Sequence, residues 1–255
     1  MSTLALAAPR VSLPRCYALE AKNEFLRLLR APSFALPTLV FPAMFYLLFT
    51  ALSGRGDGGG HASVHLLATC GVFGVMSPGL FGFGVTVAMD RERGLLTFKR
   101  ALPTPSGAYL VAKLAMAMLF AAMIFVILAA LATTVGGVRL PLSSWLLLLV
   151  VDVFGVLPFC AIGMAIGCIV PGSAAPAIGN LIYLPMSFLS GLWMPLTVLP
   201  PFIATIAPLW PAYHLGRLAL AAVGQAPESV LPHVLALAAT TAIFFAFAHR
   251  RLARG

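Results

Sequence analysis

Six apolar runs, each long enough to cross a bilayer, leave this chain few ways to fold. They lie at Pro32–Leu52, Val64–Met89, Tyr109–Val135, Leu142–Val170, Ala174–Met194 and Val230–Ala248. Crossing about 30 Å of hydrocarbon takes roughly 20 helical residues, and inside that layer each segment has to satisfy its own backbone N–H and C=O groups. Helices do this, so the expected fold class is an all-α membrane protein with six transmembrane helices. Only 9% of the 255 residues are charged, against about 25% in an average soluble domain. That is too little charge to cover a water-facing globule. No hydrophilic segment is large enough to form a second unit, so residues 1–255 read as a single membrane domain. The first eight residues lack a basic leader region, and the first run is expected to act as its own insertion signal.

Two segments between and before these runs have their own character. Over Arg15–Arg30, Ala18, Ala21, Phe25 and Leu28 recur at helical spacing, with Glu20, Asn23, Glu24, Arg27 and Arg30 on the other side. This predicts an N-terminal amphipathic helix in the membrane interface with its apolar side toward lipid. Pro195–Val223 is apolar enough to span but holds Pro195, Pro200, Pro201, Pro208 and Pro211, which one straight helix cannot accommodate. A re-entrant helical pair between spans five and six is expected there.

Charge placement sets the expected topology. Six spans with both termini cytoplasmic put Arg10, Arg15, Lys22, Arg27, Arg30, Arg91, Arg93, Lys99, Arg100, Lys113, Arg250, Arg251 and Arg254 inside, and only Arg55, Arg139 and Arg217 outside. This is the positive-inside pattern, and a seventh span would break it. The net charge of +9 is thereby a membrane signal rather than one for nucleic acid.

The informative loop is Asp90–Arg100, where Asp90, Arg91, Glu92, Arg93, Lys99 and Arg100 surround Leu95, Leu96 and Phe98. Charge beside exposed Leu and Phe suits docking into a partner's groove, and equally a plain positive-inside anchor. Asp90-Arg91-Glu92-Arg93-Gly94, followed by Leu102-Pro103 and by Lys113 opening the third run, resembles the coupling segment of the type 2 ABC exporter permeases (the ABC-2 type). Leu189-Ser-Gly-Leu-Trp-Met-Pro195, with Leu199-Pro-Pro201, Ala207-Pro208, Tyr213 and Arg217, is similar to that family's re-entrant signature, especially in the daunorubicin-resistance and nodulation-factor exporter branch. The resemblance spans the whole chain. It implies a multi-pass homodimer in the bacterial inner (plasma) membrane, with a separate ABC ATP-binding subunit in two copies. Asp90, Arg91, Glu92, Arg93, Gly94, Leu95 and Leu96 would then form the ATPase-coupling loop (90–105), and Trp193, Pro195, Pro200 and Pro201 the outer gate (195–223).

ATP and Mg are expected on the partner, with no cofactor in this chain, because no GxxxxGK[ST] loop is present to cradle phosphates. Gly54-Arg-Gly-Asp-Gly-Gly59 matches GxGxxG but lies between two spans with no strand before it, and reads as a turn. Asp152 is the one acid well inside a span, where buried carboxylates are costly and either functional or packed as neutral groups. Asn180, Tyr183, Ser187 and Ser190 recur at steps of three and four along span five and are expected to line the transport path or dimer seam, or else to bond neighbouring helices. Gly163-xxx-Gly167 is read as a close-packing motif. Neither the dispersed cysteines nor the pair His61 and His65 supports a metal site. With Tyr183, Phe188 and Trp193 as its main aromatics, the path suits an amphipathic drug-like or lipid-linked compound better than the aromatic-lined route of a polysaccharide or glycolipid exporter. An intramembrane enzyme and a proton-coupled secondary transporter are the rivals outside this class. The first would need converging polar groups, and the second internal repeats and several buried charges.

Overall fold

The computed structural model describes residues 12–53, 59–95, 98, 107–226 and 229–254. Among them every regular element is helical. The helices are α1 (Leu13–Leu29), α2 (Pro32–Leu52), α3 (Gly59–Ser77), α4 (Thr86–Glu92), α5 (Ala108–Thr134), α6 (Leu142–Gly155), α7 (Leu157–Ile169), α8 (Ala175–Leu189), α9 (Pro201–Ile206), α10 (Pro211–Ala222) and α11 (Val230–Arg254). A π-helical segment, Pro78–Val85, joins α3 to α4 without interruption. Pro78 has no N–H to give the preceding turn, and the wider turn absorbs that loss.

Among the described residues, five helical stretches are long and apolar enough to cross a membrane: 32–52, 60–92, 108–134, 142–169 and 230–251. The second is the central post of the bundle and is mostly buried, whereas the last has hardly any buried residues and forms the rim. Leu36 and Leu48 on α2, Val126 on α5, Leu147 and Phe154 on α6, and Ile243 on α11 are exposed. Such outward apolar faces are what a lipid solvent requires. Against α7 the post packs backbone to backbone. A Cβ on Gly163 would lie 2.6 Å from the Gly79 carbonyl oxygen, and one on Gly167 would lie 2.7 Å from that of Gly84, so the glycine motif does serve close packing. The fourth run is bent at Val156, where Pro158 in the first turn of α7 leaves the Phe154 carbonyl without its usual donor.

Two expectations change. The fifth run, 174–194, is helical only over the 15 residues of α8. At 1.5 Å per residue that is about 22 Å, short of the hydrocarbon thickness. Gly191 stops it: at φ 74° it donates to the Phe188 carbonyl at 3.1 Å while the Leu192 N–H reaches Ser187 at 3.3 Å, closing the helix with a glycine cap. The expected polar and lipid faces of α1 are also redrawn. Phe25 packs on Phe120 of α5 with ring centroids 5.3 Å apart, and Leu28 and Glu24 are both buried. The inner face of α1 therefore meets protein. The proline-rich stretch is broken as expected, into α9, a single 3-10 turn at Ala207–Leu209, and α10, with Pro201 and Pro211 opening the two helices.

Candidate functional site

At the base of the bundle α1, α4 and α5 converge on a cluster of charges. Lys113 is the one charged residue in α5, and its side chain is fully buried. Its ammonium donates to Glu24 Oε1 at 2.6 Å and to Thr86 Oγ1 at 2.6 Å, and it pairs with Asp90 Oδ2 at 3.2 Å. Tyr109 Oη donates to the same Asp90 oxygen at 2.8 Å. Arg27 completes the set, with Glu24 at 3.0 Å and Asp90 at 3.3 Å. Burial alone pulls the Arg27 guanidinium down, and Glu24 and Asp90 outweigh it to hold the group above its ordinary range. Two carboxylates and two cations thus cancel, with Glu24, Asp90 and Lys113 buried and Arg27 half-exposed at the edge, and such pairing is the condition under which ions can stay buried.

The coupling-loop residues divide around this cluster. Asp90 faces inward. Arg91 turns back and donates to the carbonyls of Cys168 and Val170, the latter at 3.0 Å, satisfying backbone oxygens at the end of α7. Glu92, Arg93, Gly94 and Leu95 are exposed. So is Phe98, at 62%. Gly94, at φ 71°, turns the chain out of α4 and donates to the Arg91 carbonyl at 3.1 Å. Leu96 lies outside the described residues, as does 99–106. Among the described residues the exposed edge of this loop is Glu92 to Leu95 with Phe98, while Asp90 and Arg91 hold its inner side.

Above the cluster a cavity of about 630 Å³ opens between α2, the central post and α8. Phe34, Phe41, Phe45, Phe73, Phe81, Tyr183 and Trp193 line it, and none of the described residues lining it is charged. It is more aromatic than the sequence reading of the path, because α2 and the post contribute five rings that no single-helix pattern groups together. Its polar side chains are Ser33, Thr38, Ser77, Thr86 and Asn180, with Thr38 and Ser77 hydrogen-bonded to each other at 3.1 Å. Trp193 stacks on Phe45 at 5.2 Å. The span-five stripe splits: Asn180 and Tyr183 reach the cavity, and Tyr183 Oη donates to the Phe73 carbonyl at 3.0 Å. Ser187 is fully buried, donating to its own helix at Leu184, and Ser190 is also buried. Pro195, Pro200 and Pro201 are exposed on the segment that follows Trp193. Asp152 is 1% exposed and packs against Gly71 of the post. It does not line this cavity, and its Oδ1 has no hydrogen-bond partner among the described residues.

The sequence reading missed the ion partners Glu24 and Lys113. A usable signal existed, since a lone lysine inside an otherwise apolar helix demands a carboxylate.

Apolar helices of bilayer length, a charged loop anchored at their base and a cavity between them define a multi-pass membrane protein. The ABC-2 type transporter family matches residues 17–223, and the chain belongs to that family. It is similar to the Bacillus subtilis (strain 168) protein named "Putative transport permease YvfS", with 28% identity over 194 residues, covering 76% of this chain and 79% of that relative. The chain is thus a membrane transport permease subunit, not itself an enzyme, and membership implies an ABC transporter with an ATP-binding partner.

Proposed function

We propose that this chain is the permease of an ATP-driven exporter, carrying an amphipathic drug-like or lipid-linked compound out of the cytoplasm or inner leaflet. It works as a homodimer in the bacterial inner membrane with two copies of an ATP-binding subunit, which holds the ATP and Mg. The observation that carries this reading is the uncharged aromatic cavity joined, through one continuous buried post, to an exposed charged loop. A volume near 630 Å³ falls within the roughly 300–1,000 Å³ of drug-sized sites. Aromatic walls also suit sugar rings, which favours glycolipid export as the second reading. Five polar side chains, with the Tyr183 hydroxyl and the Trp193 indole N–H, offer few partners for a hydroxyl-rich glycan, so the amphipathic compound is preferred. Asp152, walled off from the cavity, serves helix packing, and a single buried acid gives little support to proton coupling.

The basic residues support cytoplasmic termini and a cytoplasmic Asp90–Lys113 loop. That orientation needs an even number of crossings, so α8 with the residues after it serves as the sixth. Pro195–Val223 then forms the re-entrant outer cap, with Trp193, Pro195, Pro200 and Pro201 at the gate.

Glu92 and Gly94 test the coupling assignment. Glu92→Ala removes an exposed charge. Gly94→Pro forbids the left-handed turn and removes the N–H bonded to Arg91. Each is expected to leave an inserted, dimeric protein whose partner ATPase is no longer stimulated by cargo, with coupled transport down about tenfold or more. Wild-type transport in both variants would remove the assignment.

The cavity is tested by a matched pair. Asn180→Trp is expected to change which compounds confer a resistance or efflux phenotype while leaving detergent stability unchanged. Ser187→Trp, at a buried position, is expected to cost about 1–3 kcal/mol of stability by overpacking. The same profile for both variants would show that Asn180 does not face the cargo.

A further inference from the structure

Lys113 touches both ends of the machinery. Its ammonium holds Asp90, two residues before the exposed Glu92, and also Thr86, whose hydroxyl donates to the Gly82 carbonyl at 2.6 Å and so closes the π-helical segment. That segment supplies Phe81 and Val85 to the cavity wall, and Ser77 just before it bonds Thr38 of α2. Through Glu24 the same ammonium holds α1. A buried apolar side chain could fill this space without desolvating four ions, and such replacements are often neutral or stabilising. What an apolar contact cannot do is fix the relative position of three helices by direction as well as distance.

We propose that Lys113 is the positioning residue of coupling: it fastens the loop edge, α1 and the π-helical segment into one body, so that a push on Glu92 is delivered to the cavity wall. This rests on the reading that the Glu92 edge meets the ATP-binding subunit. The competing account is that the cluster only keeps α1 in place.

The test uses the full chain co-purified with its ATP-binding partner in lipid nanodiscs. Asn180→Cys on a Cys16→Ser, Cys168→Ser background reports cavity exposure through its rate of reaction with a maleimide, with and without Mg, ATP and vanadate. In the parent background nucleotide is expected to change that rate by about fivefold or more. Glu24→Gln with Lys113→Met removes one opposite pair and leaves Asp90 bonded to Arg27. The double variant is expected to assemble with its partner and to lose the nucleotide response. A full response in the assembled double variant overturns the proposal. Should that variant fail to assemble, Thr86→Val decides, since it removes a hydrogen bond and no charge: a response cut by half or more supports the proposal, and an unchanged one overturns it. Failure of the underlying reading looks different. There the parent shows no nucleotide response, or Glu92→Ala responds as the parent does.

Discussion

Lys113→Ala is expected to lower the stability of the permease by about 3–5 kcal/mol, the cost of leaving buried charge without its partner. The side chains of Glu24 and Asp90 are 9% and 5% exposed, and with the ammonium gone Arg27 alone faces both from a half-exposed position. Truncation also opens a space among Tyr109, Thr86 and the two carboxylates. In detergent the variant should unfold well below the wild type and lose its monodisperse species on gel filtration. Adding Glu24→Gln should restore part of the loss, because one of the two stranded charges is then removed. A single variant within about 1 kcal/mol of wild type, the range of an exposed ion pair, would show that the cluster is open to water and not the buried lock described here.

Gly84→Leu is expected to have the next largest effect, for a reason of shape rather than charge. A Cβ at residue 84 would lie 2.6 Å from the Gly163 carbonyl oxygen and 2.7 Å from its carbonyl carbon. Those are backbone atoms of α7 and cannot rotate away as a side chain would. The post and α7 have to separate, giving up contacts along both helices, and overpacking of this kind costs about 1–3 kcal/mol or more. Gly60→Ala is the control, because a Cβ there meets nothing within 4 Å, and its effect should be close to zero. Thermal midpoints of the two variants and the parent in one detergent would check both. Equal midpoints for Gly84→Leu and the parent would mean that the two helices do not meet through their glycines.

Much of the architecture was legible because it depends on chemistry within one segment. Apolar runs of bilayer length, the helical spacing of α1 and the prolines after residue 195 act locally: five of the six runs became helices long enough to span, α1 formed, and the proline-rich stretch was broken. The end of α8 was locally readable too: Ser190-Gly191 is a helix stop, but it lies inside a run whose hydropathy continues to Met194, and the hydropathy masked it. The stripe on span five shows where periodicity stops informing. Spacing puts Asn180, Tyr183, Ser187 and Ser190 along one side, yet that side passes from the cavity at Asn180 to the protein interior at Ser187. Which neighbour a face meets is not a property of the helix that carries it.

What the sequence by itself determined was the solvent: with so little charge and six long apolar runs, this chain had to be a bundle of helices in a membrane. Its likeness to the ABC-2 type permeases was visible in the Asp90–Gly94 loop. Tertiary structure alone decided which charges pair and which rings share a cavity. Glu24 and Lys113 stand 89 residues apart, and Phe73 and Tyr183 lie 110 apart, so no local pattern connects them. They meet because a buried ammonium has to find carboxylates wherever the packing of α1 on α5 brings one near, and because the glycines of the post let α7 approach closely enough to fix everything around it.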